Sequence, residues 1–271
     1  MPRVIISSGH TQNNPGVVAN GLQEYEVARK IAKFALKYIR LNGIISLSTP
    51  PNLDLSQRIE WINRTGYMET TNDIAIEIHI NDGDKRGIEG WFKGDGQNSS
   101  QGVVDNVVQS ICAETGLPNQ GSNSEFTHEL GSISFVHEIN PIGCIIECGY
   151  IDNEDDAKFL KEDRNLDILG KGVAKGVLKY FQLEYKEFPV PGTEVAQQSA
   201  AAMSRPDPWD QPMPQSLAQA KPQPGSQPVN AVQTPAVSGT YSGDADSLDD
   251  DLDDYDDDFS AVTPAAPAAY P

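Results

Sequence analysis

The chain has 271 residues and a formal net charge of −19 at pH 7, with 39 acidic and 20 basic side chains. This acidic balance argues against nucleic acid and against an anionic membrane surface as partners, because both attract clustered lysine and arginine. No apolar run approaches the roughly 20 residues that a spanning helix needs, so we expect no membrane span.

The composition changes near residue 188. Thirteen of the nineteen prolines lie beyond it, together with many Ala, Gln and Ser residues and the acidic runs 249–251 and 256–258. We therefore predict one folded domain over residues 1–187, which is long enough to bury a core. Residues 188–271 are predicted to be a Pro/Gln/Ala-rich linker and an acidic disordered tail. Leucine and aromatic side chains within the acidic run suggest an alternative, a docking segment for a protein partner.

The apolar patterns predict strands that alternate with helices along the domain. The predicted strands are 4–6, 44–47, 74–79, 88–92 and a buried strand beginning at 144, with 132–136 as a short strand or an irregular edge. The predicted helices are 24–41, 55–62, 102–115 and 166–181. This order indicates an α/β fold, a single three-layer domain with a mostly parallel twisted sheet flanked by helices. A ligand site is then expected beyond the carboxyl ends of the strands.

Glu147 is the most informative residue in the last predicted strand. It follows the apolar run that begins at Cys144, where a lone carboxylate is costly unless it has a partner. His10, Glu24 and His79 have the side-chain types that bind zinc, and two histidines, a glutamate and a water form a known catalytic set. Their spacing is long, and simpler roles stay open. His10 could be a turn residue, His79 a hydrogen-bonded strand end, and Glu24 a complement to the positive end of its helix.

Four segments in chain order resemble one family. Residues 4–10 with Pro15 and Gly16 resemble its opening strand and histidine loop, and 21–24 resemble its glutamate motif. Residues 78–81 resemble its strand-end histidine motif, and 147–153 its catalytic glutamate motif. On these motifs, residues 3–183 resemble the zinc-dependent N-acetylmuramoyl-L-alanine amidases of the amidase-3 family.

The resemblance implies a function and a set of roles. It implies one Zn²⁺ ion held by His10, Glu24 and His79, with Glu147 as the catalytic carboxylate. The implied substrate is peptidoglycan, cut at the amide bond between N-acetylmuramic acid and L-alanine of the stem peptide by zinc-activated water.

The chain departs from the family pattern in the histidine loop, where Thr11 and Gln12 replace two glycines, and at Glu77. Ser7 and Ser8 stand where the family usually has Asp-Pro, so an acid that could orient a ligand histidine is absent from this position. Glu77 stands where the family often has a small polar residue. Glu77 is interpreted as a metal-facing acid, a substrate contact or a salt-bridged strand residue. Further candidates for substrate contact or ligand orientation are Asn81, Arg58 and His128.

Two other functions remain open from the sequence. One is a zinc peptidase or carboxypeptidase acting on wall peptides. The other is a non-catalytic wall-binding or adaptor protein that acts through the acidic tail. The short apolar start of the chain is unlike a signal peptide. We therefore expect synthesis in the cytoplasm, and action in the cell wall or periplasm after lysis or non-classical delivery.

Overall fold

The computed structural model describes residues 2–83, 85–94 and 98–188. The predicted linker and acidic tail lie outside these described residues, apart from Phe188. Their predicted disorder and the candidate protein partner therefore stay predictions.

A six-stranded mixed sheet forms the centre of the described domain. The strands in chain order are β1 (Arg3–Ser8), β2 (Val18–Ala19), β3 (Leu22–Gln23), β4 (Ile45–Ser48), β5 (Ile74–Asn81), β6 (Ile88–Phe92), β7 (Asn119–Ser124) and β8 (Ile142–Tyr150). The sheet order is β4-β1-β5-β8-β6-β7, while β2 and β3 form a separate hairpin. Only the β8–β6 contact is antiparallel within the described sheet, and β4, β1, β5 and β8 run side by side in parallel.

The helices cover both faces of this sheet. They are α1 (Glu24–Leu41), α2 (Leu55–Arg64), α3 (Asn98–Thr115), α4 (Ser134–Glu138), α5 (Glu154–Leu160) and α6 (Asp163–Tyr180). Residues of α1, α3 and α6 share the larger apolar cluster with Val4, Ile6 and Ile76. Residues of α2 and the region of α4 share a smaller cluster with Ile5, Ala75 and Ile145 on the opposite face. Alternate residues of β1 and β5 therefore pack into the apolar clusters on the two faces of the sheet. The predicted three-layer α/β fold is confirmed.

The structure corrects one predicted segment and adds elements that were not predicted. The segment predicted as a short strand or irregular edge at 132–136 contains the short helix α4. Phe135, Val136 and Ile139 are buried there, and this spacing places them on one side of a helical turn against the sheet. The edge strand β7 and the helix α5 were not predicted. β7 is polar throughout and partly exposed, so it lacks the apolar pattern that marks an inner strand.

Within the described part of the chain, none of the helices combines the length and apolar character needed to cross a membrane.

Candidate active site

The candidate site begins as a row of side chains across neighbouring strands. His79 of β5 is paired with Glu147 of β8, and Glu147 is paired with Glu89 of β6. Residues that face each other across strands project from the same side of a sheet. The row lies near the carboxyl ends of β5 and β8, where a ligand site was expected.

Glu24 joins the two candidate histidine ligands. Its Oε2 lies 3.1 Å from His10 Nε2, and its Oε1 lies 2.9 Å from His79 Nδ1. One ligand atom from each of these residues can be chosen so that all lie within 4.8 Å of one another. Two imidazoles and a carboxylate at this separation could hold a metal ion. The structure thus brings together three residues that are distant in sequence.

The loop after β1 needs glycine at two places to form this arrangement. A Cβ on Gly9 would lie 2.3 Å from Cε1 of His79, so only glycine lets that ring approach. Gly16 has φ +72°, and a Cβ there would lie 2.3 Å from Glu24 Oε2. His10 itself has φ +60°, an uncommon backbone region for a side chain of this size. Such a conformation needs support from its surroundings, which is a common feature of functional sites.

Glu24 is buried and well supplied with donors. Besides the histidines, the backbone N–H groups of Val17 and Ile80 donate to it at 3.1 and 3.2 Å. Burial alone would raise the pKa of Glu24, but hydrogen bonds with His10 and His79 hold it well below its ordinary value. Burial lowers the pKa of His79, and hydrogen bonds to Glu24 and Glu77 outweigh it, so that pKa lies well above its ordinary value. Both pKa shifts reflect the pairing of the Glu24 carboxylate with positive charge, which a metal cation would also supply.

Glu147 has an unsatisfied carboxyl group. Its Oε2 is buried and has no hydrogen-bond partner among the described residues. Burial raises the pKa of Glu147 to about 8, with a lowering contribution from His79 and raising contributions from nearby acids, Glu24 first. A carboxyl group buried near other acids stays ionised at neutral pH only with a compensating positive charge. The donor set and this unpaired oxygen together fit a metal ion bound at His10, Glu24 and His79.

Glu77 lies directly beside these residues. Its Oε2 is 3.2 Å from His79 Nε2, and its Oε1 accepts from Ser7 Oγ at 2.9 Å. Arg58 places Nε 2.7 Å from the same Oε1. Burial raises the pKa of Glu77, but the His79 hydrogen bond and the charge of Arg58 outweigh it, so this pKa is lowered. Glu77 and Arg58 therefore contact the candidate ligands, and the structure is consistent with the salt-bridged interpretation of Glu77.

A second polar cluster flanks Glu147 on the β6 side. Buried Glu89 accepts hydrogen bonds from Tyr150 Oη at 2.8 Å and from Asn81 Nδ2 at 3.0 Å. Gly149, with φ +124°, lies where the β5–β8 register shifts, and this bulge places Tyr150 beside Asn81. Asn81 was predicted as a candidate, whereas Glu89 was missed. A lone acid directly after Ile88 in an apolar strand was the available signal.

His128 lies apart from the candidate ligands. Its ring packs edge-on against Trp91 with 4.8 Å between centroids, and no contact joins it to His10 or His79 in the described part of the chain. A cavity of about 310 Å³ adjoins the site on the α2 side. Its lining combines site residues with apolar ones, including His10, Arg58, Glu77, His79, Leu55, Ile133, Phe135 and Ile145.

Sequence comparison identifies the family. The family model Amidase_3, described as N-acetylmuramoyl-L-alanine amidase, matches residues 4–179. This match covers more than half of the chain, and it includes His10, His79, Glu89 and Glu147. The chain belongs to the Amidase_3 family. The predicted hydrolysis of the bond between N-acetylmuramic acid and L-alanine, a peptidoglycan hydrolase activity, is thereby confirmed.

Curated relatives of this Amidase_3 chain are bacterial and viral. It is 25% identical over 190 residues to the sporulation-specific N-acetylmuramoyl-L-alanine amidase of Bacillus subtilis (strain 168), covering 68% of this chain and 70% of the relative. It is 24% identical over 191 residues to the endolysin of Bacillus phage SPP1, covering 68% of this chain and 67% of the relative.

Solved structures share the fold of this Amidase_3 chain. The N-acetylmuramoyl-L-alanine amidase AmiC2 of Nostoc punctiforme aligns with a TM-score of 0.58 at 21% identity, covering 66% of this chain and 97% of that one. The catalytic domain of CwlV from Bacillus (Paenibacillus) polymyxa var. colistinus aligns with a TM-score of 0.58 at 19% identity. The alignment covers 68% of this chain and 100% of that one.

Proposed function

We propose that this amidase is zinc-dependent, with His10, Glu24 and His79 as the metal ligands and Glu147 as the general base. The observation that carries the proposal is the unpaired Oε2 of Glu147 in the row that also holds His79. A buried carboxyl group in this place needs a partner, and a cation with its bound water supplies one.

The proposed chemistry divides between the ion and the chain. When bound by His10, Glu24 and His79, zinc would supply a water with its pKa lowered to about 7, Lewis-acid polarisation of the amide carbonyl and a positive charge that favours ionised Glu147. Glu147 then accepts a proton from the attacking water and delivers it to the leaving nitrogen of L-alanine. Glu24, buried and held by the backbone N–H groups of Val17 and Ile80, would stay in place beside the two imidazoles as the third ligand.

The substrate is proposed to lie along the cavity on the α2 side. This cavity is continuous with His10, His79 and Glu77, and its other walls include the apolar side chains of Ile133 and Phe135. The peptide next to the scissile bond carries a methyl group on its first residue, which suits an apolar wall. We propose the cell wall as the place of action, since the substrate is found there.

The test uses purified sacculi and the full chain loaded with zinc. The expected product is stem peptide with a new N-terminal L-alanine, detected by amino-group labelling and mass spectrometry. Glu147→Gln should lower the rate by about 10²–10⁴-fold while the protein still binds zinc, because only proton transfer is lost. Glu138→Gln, at an exposed acid of α4, is the matched control and should retain the wild-type rate.

Two results would contradict the proposal. A folded wild-type chain that fails to bind zinc would contradict the proposed zinc dependence. Release of D-alanine or internal peptide cuts, without new N-terminal L-alanine, would indicate a peptidase instead.

A further inference from the structure

We infer that Glu77 is a positioning residue that fixes the ring of His79, so that Nε2 donates to Glu77 and Nδ1 faces the metal. This inference rests on the proposed function, since it assigns a role toward the proposed zinc. Glu77 is on β5, whereas the acid that the family usually has corresponds to the position of Ser7 on β1.

The two nitrogens of His79 have separate partners. Nδ1 lies 2.9 Å from Glu24 Oε1, and Nε2 lies 3.2 Å from Glu77 Oε2. A histidine that binds a metal through one nitrogen usually donates the other N–H to a carboxylate or carbonyl, which sets the tautomer and the ring orientation. The geometry assigns that acceptor to Glu77.

Glu77 is itself held so that it can orient another group. Its side chain is 1% exposed. Its other oxygen accepts a hydrogen bond from Ser7 Oγ at 2.9 Å and forms an ion pair with Arg58, whose Nε lies 2.7 Å away. Thr49 Oγ1 in turn donates to Ser7 Oγ at 3.1 Å. A buried carboxylate with both oxygens engaged has little freedom to rotate, and therefore passes its orientation to His79.

The same network supports the second histidine through its backbone. Arg58 Nη1 donates to the carbonyl oxygen of His10 at 3.3 Å and to that of Leu53 at 2.8 Å. His10 has a positive φ, so its loop benefits from an added anchor. One buried ion pair thus contacts both imidazole ligands, Glu77 through the ring of His79 and Arg58 through the main chain of His10.

The placement of Glu77 compensates for the departure noted in the sequence. Ser7 and Glu77 are directly paired across β1 and β5. As noted from the resemblance, the family usually has an acid at the position of Ser7 and often a small polar residue at that of Glu77, whereas this chain has a hydroxyl at the first position and an acid at the second. The acid lost from β1 is therefore supplied from β5.

The experiment measures zinc affinity of the full chain by competition with a chromophoric chelator at neutral pH. Glu77→Gln and Glu77→Ser should each weaken binding by about 10–100-fold, since an orienting carboxylate has that effect on a metal site. The double variant Ser7→Asp/Glu77→Ser returns a carboxylate to the same strand pair and should bind more tightly than Glu77→Ser alone. Glu138→Gln should bind zinc as the wild type does.

A second readout separates orientation from general folding support. In the zinc-loaded chain labelled with ¹⁵N-histidine, His79 should show a proton on Nε2 that exchanges slowly with water. In Glu77→Ser that signal should exchange rapidly, because its acceptor is gone. A wild-type spectrum with the His79 proton on Nδ1 would overturn the inference.

The affinity results can overturn it as well. Folded Glu77 variants that bind zinc within twofold of the wild type would do so, and so would a double variant no better than Glu77→Ser. If the wild type binds no zinc, the proposed function itself fails, and that outcome is distinct from wild-type binding that is insensitive to Glu77.

Discussion

The protonation of Glu147 should make the stability of the metal-free protein depend on pH. Burial raises the pKa of this carboxyl from 4.5 to about 8 in the folded chain. The folded state favours the neutral acid. The contribution of Glu147 to the unfolding free energy is therefore fully present below about pH 4.5. It is lost as the pH rises through 8.

The size of the effect follows from the shift. Each pKa unit corresponds to about 1.4 kcal/mol, so ionising a fully buried group between pH 5 and 8 would cost about 4 kcal/mol. Glu147 is only half-buried as a whole residue, and we expect about 2 kcal/mol. In Glu147→Gln the side chain cannot ionise, so this variant should not lose that unfolding free energy as the pH rises.

Urea unfolding of the full chain in a chelator, at pH 5, 6, 7 and 8, measures the difference. The wild type should lose about 2 kcal/mol of unfolding free energy relative to Glu147→Gln across this range, since the other titrating groups are common to both. Glu138→Gln should track the wild type. Parallel curves for the wild type and Glu147→Gln would refute the reasoning.

Three further predictions concern metal and packing. Zinc at about 1,000 times its Kd should raise the unfolding free energy of the wild type by about 4 kcal/mol, measured by urea titration with and without chelator, and no shift would contradict the site. Gly149→Ala should cost about 1–3 kcal/mol because φ is +124° and the new Cβ would lie 3.3 Å from Leu160; an unchanged urea midpoint would argue against the bulge. Phe135→Ala should cost about 3–5 kcal/mol, whereas Phe126→Ala, at a side chain 59% exposed, should change stability by less than about 1 kcal/mol in the same assay.

The parts of the fold that sequence could predict were those with a strong apolar period. Helix α1 occupies Glu24–Leu41 as predicted, because its buried positions recur on one face. The strand containing Ile74 and Ile76 was equally clear. β7 and α4 were not, since the first is a polar edge strand and the second is a single helical turn whose pattern resembles a strand over five residues.

The candidate site shows the same division. His10, Glu24, His79 and Glu147 could be singled out because each stands at the edge of a recognisable motif. Their contacts could not, since they depend on the pairing of β5 with β8 and on the positive φ of His10. Glu89 enters the row only through an antiparallel pairing, which no local pattern in the sequence specifies.

Because β6 runs antiparallel to β8, the part of the site at Glu89 can vary separately from the part at His79 and Glu147. His79 and Glu147 lie near the ends of their strands, whereas Glu89 stands at the start of its own. The connection between Asn81 and Ile88 joins β5 and β6, which lie on either side of β8 in the sheet, and the backbone N–H groups of Gly83 and Gly87 donate to the carboxylates of Asp152 and Asp156. Insertions in that connection would reshape the wall beside Glu89 and leave the ligand-bearing strands in register.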